Sequence, residues 1–568
     1  MDDRYDVAIL GGGLAGLTLA IQLKQAHAAA RIVVVEKAKH PLPEAALKVG
    51  ESSVEPGAHY FAHVVGMQEH LDAAELPKMG LRFFFPAGDN SDITRRVEWG
   101  APRFPPVPAY QLDRGRFENA LGEKARELGI TFLDGTKVES VQLGTDQHQV
   151  TVQRDGEAAQ TLPARWLVDA SGRAAILKRQ LGLGQKNDHN ACAAWFRLAE
   201  HIKIDDWSDD PQWRNEISID PGNRWLSTNH LMGAGYWVWL IPLASGSHSI
   251  GIVVDPDLHP FDQINTFDRA MQWLNQYEPQ LWEKVHAKRE LLQDFRVLKH
   301  YSHGCERVFS PDRWCLTGES GAFLDPFYSP GSDYIGFSNT LITSLIAQDL
   351  EGLDPDKLQH LTQSYSDLYF ERFADTYLYY EGQYHMWGNA QVMSAKILWD
   401  YAFFWAYPAL LDFHDKWTDE AFIASIRPDV ERMRALQRRM QVFFREWHAL
   451  DQREWNHYFV NQAFLDVSIV LHIGLEADLN DEDLRVRISD NAALLEDIVV
   501  ETFRHAARLV SADLLDRPIN PYAISLKPDR WEAEGLFKQP ERHMTDIYDD
   551  VDVAATIDNL WLDRVATA

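Results

Sequence analysis

Cysteine is scarce: only Cys192, Cys305 and Cys315 occur, scattered along the chain. That is too few for a disulfide framework or a cysteine-based zinc site, and it suits a reducing cytoplasm. Basic residues are outnumbered by acids, 55 against 84, for a net charge of -29. Nucleic acid is therefore disfavoured as a partner, because a polyanion is held mainly by lysine and arginine on its phosphates. Long apolar runs are missing as well. The most apolar stretch, Ile397 to Phe413, is short and carries Asp400 and Pro408, so a buried helix is expected and no membrane span. The acidic start Met1-Asp2-Asp3-Arg4-Tyr5-Asp6 has no signal-peptide character. Neither an internal repeat nor a low-complexity segment is present.

What remains is an ordinary globular composition, 45% hydrophobic and 24% charged, over 568 residues. A chain of that length exceeds one comfortable core, so two or three packed units are expected. Asp6-Val7-Ala8-Ile9-Leu10 reads as a buried parallel strand, Leu14 to Gln25 as a helix, and Arg31-Ile32-Val33-Val34-Val35-Glu36 as a second strand. Phe117 to Leu128 reads as a helix and Thr131 to Arg154 as two strands. Residues 165–171 form another buried strand ending at a glycine turn. The proline-rich residues 102–108 read as a loop. Residues 185–299 mix alternating strands with tryptophans, as one wall of a pocket would. Residues 333–350 are helical, and from about 355 amphipathic helix dominates, with six tryptophans from Trp387 to Trp455.

The turn Gly11-Gly12-Gly13-Leu14-Ala15-Gly16 carries G-x-G-x-x-G between strand and helix. Gly11, Gly13 and Gly16 let the backbone turn tightly and approach a pyrophosphate, which the free N–H groups and positive dipole end of the helix attract. Glu36 lies 20 residues beyond Gly16 (36 minus 16), where a carboxylate can accept from ribose hydroxyls.

Three further segments resemble the FAD-dependent monooxygenase superfamily. Arg114, followed by Phe117 and Leu121, is similar to its FAD-side helix. Asp169-Ala170-Ser171-Gly172 resembles its strand-end turn. Gly318-Glu319 resembles its late Gly-Asp motif, with Glu319 one methylene longer than the usual acid. Two segments narrow the resemblance. Trp237-Val238-Trp239-Leu240-Ile241-Pro242 matches the W-x-W-x-I-P motif of the flavin-dependent halogenases, a tryptophan-halogenase-like family within that superfamily. Lys48-Val49-Gly50-Glu51-Ser52 matches their K-x-G-E-S segment. The resemblance extends from residue 1 to about residue 350.

It implies an α/β, Rossmann-like FAD-binding fold of the aromatic-hydroxylase (GR2) type, with a β-sheet substrate domain and a helical C-terminal region. The expected boundaries are 1–184 for the FAD-binding part, completed by about 300–354, then 185–299 for the pocket sheet and 355–568 for the helices. The cofactor-side residues expected are Gly11, Gly13, Gly16, Glu36, Lys48, Gly50, Glu51, Ser52, Arg114, Asp169, Gly172, Gly318 and Glu319. The resemblance implies that FADH2, supplied by a separate NADH-dependent flavin reductase, reacts with O2 to a C4a-hydroperoxide, and that chloride or bromide then yields hypohalous acid. Trp237, Trp239 and Pro242 mark the motif that keeps organic substrate from the flavin. Ser329, Pro330 and Gly331 fall in the turn that contributes N–H groups near flavin and halide. A lysine near the substrate receives the halogen. Lys78 is expected in that role over Lys48, because Phe83, Phe84 and Phe85 surround it with the apolar setting a desolvated amine needs.

Tryptophan halogenases carry a glutamate in the turn where Tyr328 stands here. That shifts the expectation from free tryptophan to phenols, pyrroles or a carrier-tethered aryl group. An aromatic monooxygenase that hydroxylates, or a non-catalytic flavoprotein, are the alternatives. Arg427, Arg432, Arg434, Arg438, Arg439 and Arg445 form a basic stretch that could dock an acidic carrier, although a solvated helix face is the plainer expectation. His59 and His63 have metal-ligand spacing without a third ligand in sequence, and no metal is expected.

Overall fold

A computed structural model describes residues 4–44, 48–217, 221–511, 514, 517–538 and 546–562. The first strand, Tyr5–Leu10, is buried on both faces, as its unbroken apolar run requires of a parallel strand. It pairs in parallel with Ile32–Val35 on one side and Gln160–Asp169 on the other. The latter pairs in parallel with Trp314–Leu316, so this sheet is built from both ends of the first 320 residues. Helix Leu14–Ala26 packs on it beside the long helix Gly331–Leu350. Residues 131–154 form three strands rather than two: Thr131–Leu133 joins the parallel sheet, while Thr136–Gln142 and His148–Arg154 make a hairpin. A turn at Asp134-Gly135, with positive φ at Gly135, separates the first two of them.

The second sheet runs in the order Leu292–Leu298, Cys192–Leu198, His248–Val254, Tyr236–Pro242, Thr228–Gly233, Leu81–Phe84, Val97–Gly100 and Tyr458–Asn461. The expected segments are therefore interleaved. Two strands from before residue 184 complete the pocket sheet, and one from the helical region closes its far edge. Nor does residue 355 divide the core. One continuous apolar cluster runs from Val7 through Trp237 to Trp561. The stretch Ile397 to Phe413 lies within two buried helices, Ala390–Ala406 and Pro408–Phe413, and no helix among the described residues is long and apolar enough to cross a membrane.

The basic stretch sits on helix Glu420–Leu450. Arg427 pairs with Glu371, Arg432 with Glu496 and Asp429, and Arg434 with Asp375 and Glu431. Three of the six are thus answered by the chain's own acids, Arg439 and Arg445 donate to the carbonyls of Ile524 and Glu381, and Arg438 is exposed.

Candidate active site

Two cavities lie back to back behind helix Gly331–Leu350. The first, about 1250 Å³, runs from the glycine turn to the pocket sheet. It is lined by Gly50, Glu51, Ser52, Arg114, Trp237, Trp239, Gly318 and Glu319, and by the turn Ser329-Pro330-Gly331. These are segments far apart in sequence that the two sheets bring to one space.

The glycine turn has room only for glycine at Gly11 and Gly16. A Cβ on Gly16 would sit 1.9 Å from the Gly11 carbonyl oxygen, and Gly11, at φ +114°, would clash with Ala170. Gly13 has open space: a Cβ there would find only Lys48 Nζ at 3.8 Å and Glu118 Oε1 at 3.9 Å. Glu36 accepts from the Gly12 N–H at 2.8 Å and from the Ala38 N–H at 2.7 Å, which fixes its carboxylate at the end of the second strand.

Under the turn, buried Glu118 holds both Lys48 and Arg114. Arg114 also donates to the Val49 carbonyl at 2.5 Å. Burial alone would push the Glu118 carboxyl up, but the two cations bring it below its ordinary value. Glu118 had no motif to mark it in the sequence. Glu51 is clamped by Arg197, with Nε at 2.7 Å, so it ties the Lys48–Ser52 segment to strand Cys192–Leu198. Of the expected cofactor residues, Gly11, Gly13, Gly16, Glu36, Lys48, Asp169 and Gly172 do not line this cavity, and Leu14 alone represents the glycine turn in it. Asp169 accepts from the N–H groups of Ser171 at 2.9 Å and Leu177 at 2.7 Å and so shapes its own turn, with Gly172 at φ +58°. Pro242 likewise ends its strand against His248, leaving Trp237, Trp239 and Ile241 on the cavity wall.

The two tryptophans fall on one face because strand residues alternate. Their rings lie 5.6 Å apart. Trp239 lies over Gly251, where a Cβ would meet its ring at 2.1 Å, and donates to Ser249 Oγ at 3.2 Å. Trp237 donates to Tyr384 Oη at 3.1 Å, and Tyr384 in turn donates to Asp325 at 2.5 Å. Asp325 also accepts from Tyr301 and lies 2.7 Å from His189 Nε2. This buried hub fixes the residues just ahead of the Ser329 turn to the tryptophan wall. Ser329 has positive φ, +59°, and Gly331 opens the helix with nothing near the place of a Cβ.

Lys78 lies in the second cavity, about 1280 Å³, which also takes in Glu55, Phe104, Tyr328, Tyr401, Trp405 and His472. Pro330 and Tyr334 line both cavities, so the turn is their common wall. The lysine is 2% exposed. Its Nζ donates to Ser52 Oγ at 2.9 Å and to the Ser53 carbonyl at 2.6 Å. Ser52 Oγ is 2.8 Å from Thr228 Oγ1, which gives the serine proton somewhere else to go and leaves its oxygen to accept. Burial lowers the Lys78 amine to about 7, against the opposing pull of Glu55 and Asp333. The competitor Lys48 is on the other side, by the nucleotide turn. The turn's Tyr328 donates to Asp400 at 2.9 Å, which is paired with Lys396.

The rings of His59 and His63 lie 5.0 Å apart, tilted by 53°, and His59 packs on Phe413. Burial with the neighbouring His63 and His414 lowers the His59 imidazole to about 4. No metal-binding group of three ligands occurs among the described residues.

Residues 4–302 match the family model of the FAD binding domain. The flavin-dependent halogenase chlA of Dictyostelium discoideum is 27% identical over 441 residues, 70% of this chain and 69% of that protein. A chlorinase of pyrrole-2-carbonyl groups on a peptidyl-carrier protein, from Pseudomonas fluorescens, is 26% identical over 358 residues, 58% of this chain and 73% of that one. Among solved structures, the halogenase PltM shares the fold with a TM-score of 0.58 at 16% identity, over 92% of this chain and 98% of that one.

Proposed function

The chain belongs to the FAD-binding-domain family and is a flavin-dependent halogenase, and we propose that it places chlorine or bromine on a phenolic or pyrrolic ring, free or carrier-tethered, through the amine of Lys78. The observation that carries this reading is the buried Lys78 in a cavity that shares Pro330 and Tyr334 with the flavin-side cavity.

The first cavity fits FAD. The Gly13 approach is open to a pyrophosphate, Glu36 ends the second strand, and Arg114, Gly318 and Glu319 line the space beyond. Bound there in its reduced form, after delivery by a separate NADH-dependent reductase, the flavin would supply hypohalous acid from O2 and halide. The start of helix Gly331–Leu350 offers N–H groups and a positive dipole end for a halide, and Ser329 turns the chain toward it. Trp237 and Trp239 close the flavin-side cavity to an organic ring and confine the ring to the Lys78 side.

The chemistry then falls to the amine. In its neutral form the two N–H bonds go to Ser52 and Ser53, and the lone pair is the group left for the cavity. A pKa near 7 keeps that form abundant at neutral pH. The lone pair takes the halogen as the HO–X bond breaks, and the hydroxide leaves as water with an amine proton. The ring carbon next attacks the halogen, the N–X bond pair returns to nitrogen, and the ring proton is lost.

The test supplies FAD, NADH, a flavin reductase, chloride or bromide, and a panel of phenols, pyrroles and indoles. A product with a halogen isotope pattern is expected. Product that gains only oxygen, whatever the halide, overturns the proposal in favour of hydroxylation.

A further inference from the structure

Glu55 is a carboxylate near Lys78 that the halogen transfer above leaves unused. It lines the Lys78 cavity, as do His472 and Trp405. Glu55 Oε1 lies 3.2 Å from His472 Nε2, and Trp405 Nε1 is 3.5 Å from Oε2. His472 comes from helix Asp466–Ile473, which also supplies Ser468 and Ile469 to this wall. The same backbone segment binds the amine and presents the acid: Ser52 and Ser53 accept from Lys78, and Glu55 follows two residues later.

Only 12% of the Glu55 side chain is exposed. A carboxylate withdrawn from water needs partners, or it protonates. Burial would raise its pKa, but the hydrogen bond and charge of His472 outweigh burial, with Lys78 adding to them, and the acid is held below its ordinary value. Facing it, besides those two, are Tyr401 and Asp333, and burial raises the pKa of both. Glu55 is thus the ionised acceptor of a cavity whose other acid at this wall, Asp333, is pushed toward neutrality. The turn itself offers Tyr328, a donor already engaged with Asp400.

We propose that Glu55, held by His472 and Trp405, is a catalytic base of this cavity, which takes the hydroxyl proton of a phenolic substrate as the ring attacks the halogen on Lys78. The inference rests on the halogenase reading above and selects phenols within it. As the C–X bond forms and the N–X bond breaks, the phenol O–H proton passes to Glu55 and the ring becomes a dienone. Loss of the ring proton, passed through water to the Lys78 nitrogen, then restores both aromaticity and the amine, and Glu55 returns the hydroxyl proton. Base catalysis of this kind contributes roughly 100- to 10,000-fold.

A phenol and its methyl ether separate this role from scaffolding, because the ether has no proton to give. With bromide, the wild type is expected to brominate the phenol far faster than the ether. Glu55→Gln should lower that phenol-to-ether ratio at least about tenfold, and Glu55→Asp should recover part of it. Calorimetry with oxidised FAD bound, where no turnover occurs, gives a second readout. The wild type should bind the phenol more tightly than the ether, and Glu55→Gln should bring the two affinities together. An unchanged ratio in Glu55→Gln with unchanged relative affinity overturns the role of Glu55 while leaving the halogenase reading intact. A wild type that brominates pyrroles but no phenol overturns it as well. A wild type that halogenates nothing removes both.

Discussion

Replacing Lys78 by methionine keeps the length of the side chain and removes the titrating amine. The unfolded lysine releases its proton near 10.5, the buried one near 7. Between those values the unfolded state holds more protons, so the folded protein gains stability as pH rises. The burden of Lys78 is therefore fully present below about pH 7 and gone above about 10.5. At about 1.4 kcal/mol per pH unit the gap is worth about 5 kcal/mol at pH 6 and about 2 at pH 9. Lys78→Met sheds that burden but loses the hydrogen bonds to Ser52 and Ser53, a change that does not depend on pH. The difference between the two pH values, about 3 kcal/mol, isolates the amine. For a chain of this size, with about 2 cal/mol/K of unfolding entropy per residue, it corresponds to a change of about 2.6 °C in the Tm gap between variant and wild type. Differential scanning calorimetry at pH 6 and pH 9, with oxidised FAD saturating, reads it directly. The variant should gain on the wild type by that amount at the lower pH. A Tm gap that does not change with pH refutes a desolvated amine at this position.

Gly16→Ala would drive a methyl into the Gly11 carbonyl, 1.9 Å away, so FAD binding should fall below detection in a flavin fluorescence titration, and unaltered affinity would contradict the glycine-turn geometry. Glu319→Ala removes the acid that lines the flavin cavity in place of the usual aspartate. It should weaken FAD at least about tenfold, the loss of one hydrogen bond from a charged acceptor, while equal affinity would take Glu319 out of the site.

The nucleotide end was largely legible. Strand, glycine turn, helix and second strand are a local unit, and backbone sterics write it into one short stretch at Gly11 to Gly16 and Glu36. The tryptophans were legible too, because strand alternation puts Trp237 and Trp239 on one face. Lys78 stood out by its apolar neighbours, but the Ser52 and Ser53 oxygens that hold it come from another segment. What could not be read were pairings between distant elements. Glu118 answers Lys48 and Arg114 from inside a helix in which no motif marked it. Glu55 and His472 meet across 417 residues. Asp169 shows the reverse: a recognisable motif residue whose carboxylate turns out to be spent on its own turn. The plainer expectation for the basic helix, a solvated face paired with the chain's own acids, fits Arg427, Arg432 and Arg434, although their partners Glu371, Glu496 and Asp375 could not be named from the sequence.

The measurement that bears most directly on the account is product analysis of Lys78→Ala beside the wild type, with a flavin reductase, NADH, O2 and bromide, while NADH and oxygen consumption are followed. The variant is expected to consume both at the wild-type rate and to yield no brominated arene beyond what free hypobromous acid gives in solution. Full, regioselective bromination by Lys78→Ala would contradict it.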